Sequence, residues 1–271
     1  MADWLPGADL SQRFDAAYPG TRMARVNKLV LHTTETLTWP GYGEGKTAPT
    51  LTARWNGTRL EYRQHFPLHS SARALRNTAG GVATNTLDCA QIELVGTCSA
   101  SFAQRTGAVY WPRASRAQKA AVRDLLRLIS AHTAVPLQSA VSWKSYKEGQ
   151  VGGSYGSNNG VRLSGPAWTG YRGLLGHQHV PENDHGDPGD IDIAFLLSPP
   201  SHSKPSGDDE LNETERKQLA DLHAEMSARK AGRSDAQLAA DELTAARALT
   251  KDDVAALVSR IADEVIARLT K

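Results

Sequence analysis

The run Gly176-His177-Gln178-His179-Val180, followed shortly by His185-Gly186-Asp187-Pro188-Gly189, constrains this chain more than any other feature. It gathers imidazoles and carboxylates within about a dozen residues. Another His lies far upstream and closes the apolar run Val26-Asn27-Lys28-Leu29-Val30-Leu31-His32. A strand-end His joined by a distant His and Asp is how an open catalytic zinc site is assembled from separated strands, with three protein ligands and one position left for water. His179 lies one strand period from His177 on the same face, so periodicity alone does not choose between them.

The surrounding pattern mixes strands and helices. Val26–His32 reads as a buried strand running into Thr33-Thr34-Glu35. Leu51–Trp55 and Thr58–His65 flank Asn56-Gly57, a strong hairpin signal. Cys89–Gly96 is a further apolar strand interrupted by Glu93. Ser115 and Gln118 form a capping-box pair that opens a helix through His132, with Val122, Leu125, Leu126 and Ile129 on one face. Leu174–Val180 reads as a short strand and Ile191–Leu197 as a closing helix. Residues 141–170, rich in Gly, Ser and Asn, read as a long surface loop, either a bland insertion or one rim of a substrate groove. Together these predict an α/β domain with a central mixed sheet flanked by helices.

Cys89 and Cys98 are the only cysteines. A strand between them holds them roughly 25–30 Å apart at about 3.3 Å per residue, so no disulfide is expected. That absence suits synthesis in a reducing compartment. The N-terminus, MADWLPGADLSQRF, has neither a basic n-region nor an apolar h-region, so no secretory signal is expected. No run of apolar residues is long enough to predict a membrane span.

Composition changes near residue 200. A Pro/Ser-rich stretch over 198–210 reads as a linker between a domain at 1–197 and a helical region at 211–271. Residues 201–271 hold 11 Lys/Arg and 14 Asp/Glu; subtraction from the chain totals of 31 and 29 leaves 20 and 15 for residues 1–200. The larger region is therefore mildly basic, which suits an anionic surface such as a bacterial wall. No basic cluster with interleaved aromatics stands out, so nucleic acid is not favoured as a partner. All Trp, Tyr and Phe precede the linker. The tail carries the stripe Val254, Leu257, Val258, Ile261, Val265, Leu269 at helical spacing. With no aromatic platform for sugars, it predicts self-association into a homo-oligomer, or folding back as a three-helix unit.

The strand LVLHTTE, the strand AQIELVGT and the run GHQHVPENDHGDPGDIDI together resemble the zinc N-acetylmuramoyl-L-alanine amidases, whose fold is shared with peptidoglycan recognition proteins. The resemblance covers roughly residues 20–197 in the family's motif order, and its flavour is that of endolysins from phages of actinobacteria. It implies hydrolysis of the amide between N-acetylmuramic acid and L-alanine in peptidoglycan, with lysis of the host. The protein is then made in the host cytoplasm and acts at the cell wall. It implies Zn²⁺ held by His32, His177 and Asp187, with Glu93 handling the proton of the attacking water. His185 falls where many members carry a Lys that steadies the oxyanion. Being a His, it makes that help pH-dependent. Near Ala74-Leu75, where relatives often carry a substrate-facing His, this chain departs from the pattern. Asp184 is a candidate partner for a ligand His; His65, His69 and His132 read as structural. The competing functions are a non-catalytic wall-recognition module on the same fold, or a virion structural protein.

Overall fold

A computed structural model describes residues 3–147 and 160–199. The helical tail expected over 211–271, and all but the first two residues of the expected linker, lie outside these.

The described residues form five strands: β1 (Lys28–Thr33), β2 (Leu51–Trp55), β3 (Leu60–Gln64), β4 (Cys89–Leu94) and β5 (Gly173–Gly176). They make one sheet in the order β3-β2-β4-β1-β5. β1 runs parallel to both β4 and β5, and β2 runs parallel to β4. Only the β2–β3 hairpin is antiparallel. The helices are α1 (Ala100–Thr106), α2 (Arg116–His132), α3 (Gly165–Gly170) and α4 (Ile193–Leu197). The expected mixed-sheet α/β class is what is found.

Burial follows the pleat. Leu29 and Leu31 of β1, with Ala90 and Ile92 of β4, point to the face covered by Val122, Leu125, Leu126 and Ile129 of α2 and Leu196 of α4. Burying each such aliphatic side chain contributes about 1.5–3 kcal/mol. α2 starts where the sequence predicts. Ser115 accepts from the Gln118 amide while the Gln118 side chain accepts from the Ser115 N–H. Val30, Cys89 and Leu175 point to the opposite face, under Trp168 of α3. Alternation places His32, two residues after Val30, on that second face at the carboxyl end of β1.

Several boundaries differ from expectation, each for a tertiary reason. β4 stops at Leu94 because Gly96 sits at φ 140°, where an added Cβ would lie 2.5 Å from the Val109 carbonyl. The stretch 141–170 is not wholly loop, since Ser164 accepts from the Ala167 N–H and caps α3. α1, capped by Ser99, was not anticipated. β5 ends at Gly176, not Val180: the chain tightens into a 3₁₀ turn over His177–His179. Cys89 and Cys98 are buried free thiols. No helix among the described residues is long and apolar enough to cross a membrane.

Candidate metal centre

Parallel pairing assembles the site. The β1–β4 register sets His32 opposite Glu93. On the other side of β1, β5 delivers His177 just past its carboxyl end. The His32 and His177 Nδ1 atoms lie 3.0 Å apart. The loop after the 3₁₀ turn returns Asp187 to the same point. Its Oδ1 is 3.1 Å from His177 Nδ1 and its Oδ2 is 3.6 Å from His32 Nδ1. The three residues are buried and could hold a metal ion.

Local features explain why the loop returns so closely. Gly176 allows it: a Cβ there would meet Pro188 Cδ and the Trp143 ring, each at 2.8 Å. Gln178, fully buried, donates from its backbone N–H to the Asp187 carbonyl and from Nε2 to the Gly189 carbonyl. The Thr33 N–H donates to Asp187 Oδ2 over 3.1 Å and orients the carboxylate. Arg162 spans the outside of the loop, donating to the carbonyls of His177, Val180 and His185.

The electrostatics suit cation binding. Burial holds the His32 pKa well below its usual value, with His177 acting in the same direction. A neutral imidazole is the form that binds metal. Burial works to raise the Asp187 pKa, but the facing His177, with His32 and His185, outweighs it and keeps the carboxyl well below the usual range. Three donors about 2.0–2.2 Å from a tetrahedral ion stand roughly 3.3–3.5 Å apart. The observed 3.0, 3.1 and 3.6 Å bracket that spacing. Two nitrogens and one carboxylate favour Zn, Fe or a similar transition metal over Mg or Ca.

Glu93 sits beside this group, its Oε1 3.9 Å from His32 Nδ1. The side chain is 13% exposed, and its buried Oε2 has no hydrogen-bond partner among the described residues. Burial, then Asp187 and Glu35, push its pKa well above the ordinary carboxyl value. His185 is at the rim. Its ring stacks on His177 at 4.7 Å, with Nδ1 3.7 Å from Asp187 Oδ1. Partial burial, with His177, lowers its pKa. The ring is nonetheless 67% exposed, so water moderates that effect.

The turn separates the two histidines that strand periodicity leaves equivalent. His179 points away from the centre. Its Nδ1 accepts from the Gly176 N–H, its Nε2 donates to the Ser142 carbonyl, and its ring meets the Trp143 ring edge-on. His65, His69 and His132 are held elsewhere, by Thr52 and Gln12, by Asp3, and by Leu128 respectively. Asp184 does not bond either candidate ligand His; it pairs with Arg76. The residue that meets His177 is Asn183, whose Oδ1 is 3.0 Å from Nε2.

Sequence reasoning also missed two supports. Glu35, at φ 55°, accepts from Thr33 Oγ1, Thr97 Oγ1 and the Cys98 N–H, tying the end of β1 to the loop after β4. Thr52, the register partner of Glu93, bonds Tyr42 Oη and His65 Nε2. The sequence signal for Glu35 was its place three residues after His32; Tyr42 carried none. No family model, curated protein or solved structure matches this chain.

Proposed function

We propose that this chain is a zinc-dependent N-acetylmuramoyl-L-alanine amidase acting on peptidoglycan, in the manner of a phage endolysin. The observation that carries the reading is the convergence of His32 Nδ1, His177 Nδ1 and the Asp187 carboxylate, with Glu93 beside them. The sequence resemblance supplies the substrate; the donor set and the carboxyl next to it support hydrolytic chemistry.

His32, His177 and Asp187 would hold the ion. When bound, zinc would supply Lewis acidity and a water of lowered pKa. The remaining chemistry belongs to the side chains. Glu93 Oε2 has no hydrogen-bond partner among the described residues, so it can take a proton from water and hand it to the leaving amine of L-alanine. A carboxyl with a raised pKa suits both halves of that transfer. His185 at the rim can place an N–H near the oxyanion that develops at the lactyl carbonyl, a contact of a few kcal/mol at best. A purely wall-binding module has no use for a buried, unpartnered carboxyl, which is costly to retain.

The test is loss of turbidity of purified peptidoglycan, with product analysis. The reading expects new L-alanine amino termini without new reducing sugars, abolished by chelator and restored by Zn²⁺. Lysis indifferent to chelator removes the metal mechanism. Reducing sugars without amino termini remove the amidase. Restoration by Fe²⁺ alone reassigns the metal.

A further inference from the structure

Three consecutive residues of the loop between His179 and His185 grip a segment about a hundred positions earlier. The Glu182 carboxylate accepts from the Val82 N–H, and Glu182 adopts φ 58°. Asp184 pairs with the Arg76 guanidinium at 3.2 Å. Between them, Asn183 is 3% exposed and uses its whole amide. Nδ2 donates to the Pro181 and Arg76 carbonyls at 2.8 and 3.2 Å. Oδ1 accepts from the Arg76 N–H at 2.9 Å and meets His177 Nε2 at 3.0 Å.

Those partners fix which way the amide points. Two carbonyls require the NH₂ on one side, and a backbone N–H requires the oxygen on the other. An amide oxygen only accepts. Nε2 of His177 therefore carries a proton, and in the neutral ring, the form that binds a metal, Nδ1 is left as a lone pair. That lone pair is the atom facing His32 and Asp187.

We propose that Asn183 is a positioning residue for the metal centre: it locks the tautomer and rotation of His177 and ties that ring to segment 76–82. The proposal rests on the metal-centre reading above. Nothing in the local sequence marks Asn183, because both of its key partners are remote or depend on the 3₁₀ turn. A partner of this kind typically sets metal affinity within a factor of about 10–100.

The experiment compares the full-length wild type with Asn183→Ala, Asn183→Asp and Asp184→Asn. Each is stripped with chelator and titrated with Zn²⁺ and Co²⁺ against a chromophoric competitor. Thermal unfolding reports the fold of each variant. Long-range ¹H–¹⁵N spectra of the metal-free proteins report the His177 tautomer. Asn183→Ala should bind either ion about 10-fold or more weakly and lose the pure Nε2–H tautomer. Asn183→Asp keeps the acceptor but loses both Nδ2 donations, and should bind within a few fold of wild type. Asp184→Asn should leave affinity unchanged. If Asn183→Asp falls as far as Asn183→Ala, the residue merely holds the loop and the positioning role is overturned. Equal affinity in wild type and Asn183→Ala overturns it as well. A wild type that binds neither ion removes the metal-centre reading itself, and this proposal with it.

Discussion

Replacing Glu93 by Gln should stabilise the metal-free protein while removing its activity. The side chain is buried against His32, its Oε2 has no partner among the described residues, and burial raises its pKa well above 4.5. The sign follows from proton counting. Above pH 4.5 the unfolded chain gives up this proton while the folded chain keeps it. The folded state then binds more protons, and stability falls as pH rises toward the folded pKa. The penalty is absent below pH 4.5 and fully present above the folded pKa. An amide does not ionise, so Gln escapes it. Leaving one buried polar group unsatisfied costs about 1–3 kcal/mol, and more when it is charged. For a domain of this size, that corresponds to a rise in Tm of roughly 2–12 °C.

Calorimetry in chelator, at pH 4.5 and pH 8, reads this out. The two proteins should melt together at pH 4.5, and the Gln variant should melt higher at pH 8. Adding Zn²⁺ should shrink the gap, because a cation beside the carboxylate favours its charged form. Activity at saturating zinc should fall about 10²-fold or more, the scale of a positioned acid–base group. A Gln variant that melts lower at pH 8, or a gain independent of pH, would refute the account of Glu93 as a strained, unpartnered carboxyl.

Bound-metal measurement should show that His177→Ala loses zinc while His179→Ala retains the site; the reverse would exchange their roles. Burial holds His179 neutral, with its pKa lowered from 6.5 to about 4. Its contribution is complete above pH 6.5 and lost as pH falls to about 4, worth about 3 kcal/mol in all. Urea midpoints of wild type and His179→Gln at pH 7 and pH 4.5 should converge at the lower pH. His185→Lys should hold hydrolytic activity further into alkaline pH, and superimposable pH–rate profiles would remove His185 from the oxyanion. Gly176→Ala leaves all three donor side chains in place, yet its Cβ would press on Pro188 and Trp143 at 2.8 Å and meet the Asp187 carbonyl at 3.4 Å; metal affinity should drop, and unchanged zinc binding would show that the loop can yield.

What was legible in the sequence is what short-range chemistry decides. β2 was readable to the residue because Asn56 side-chain bonds to Thr58 and Arg59 fix the turn that follows it. α2 was readable because both halves of its capping box form within one turn. His32 and Glu93 were readable as polar interruptions of apolar strands, and their pairing follows once β1 and β4 are parallel neighbours. The end of β5 was not. Strand periodicity continues through His179, and no nearby residue forbids it. The chain turns at His177 because Gln178 is bonded to Asp187 and Gly189, and because the loop packs against Gly176. Those ties exist only once the Asp187 loop has folded back. The same loop supplies the third candidate ligand, so the contacts that choose His177 over His179 are those that seat Asp187. The placement of the candidate ligands and the return of the loop rest on the same contacts, and no local rule reaches either. Asn183 and Arg162 fall under the same reasoning: each is an ordinary polar residue until the turn gives it His177 to hold.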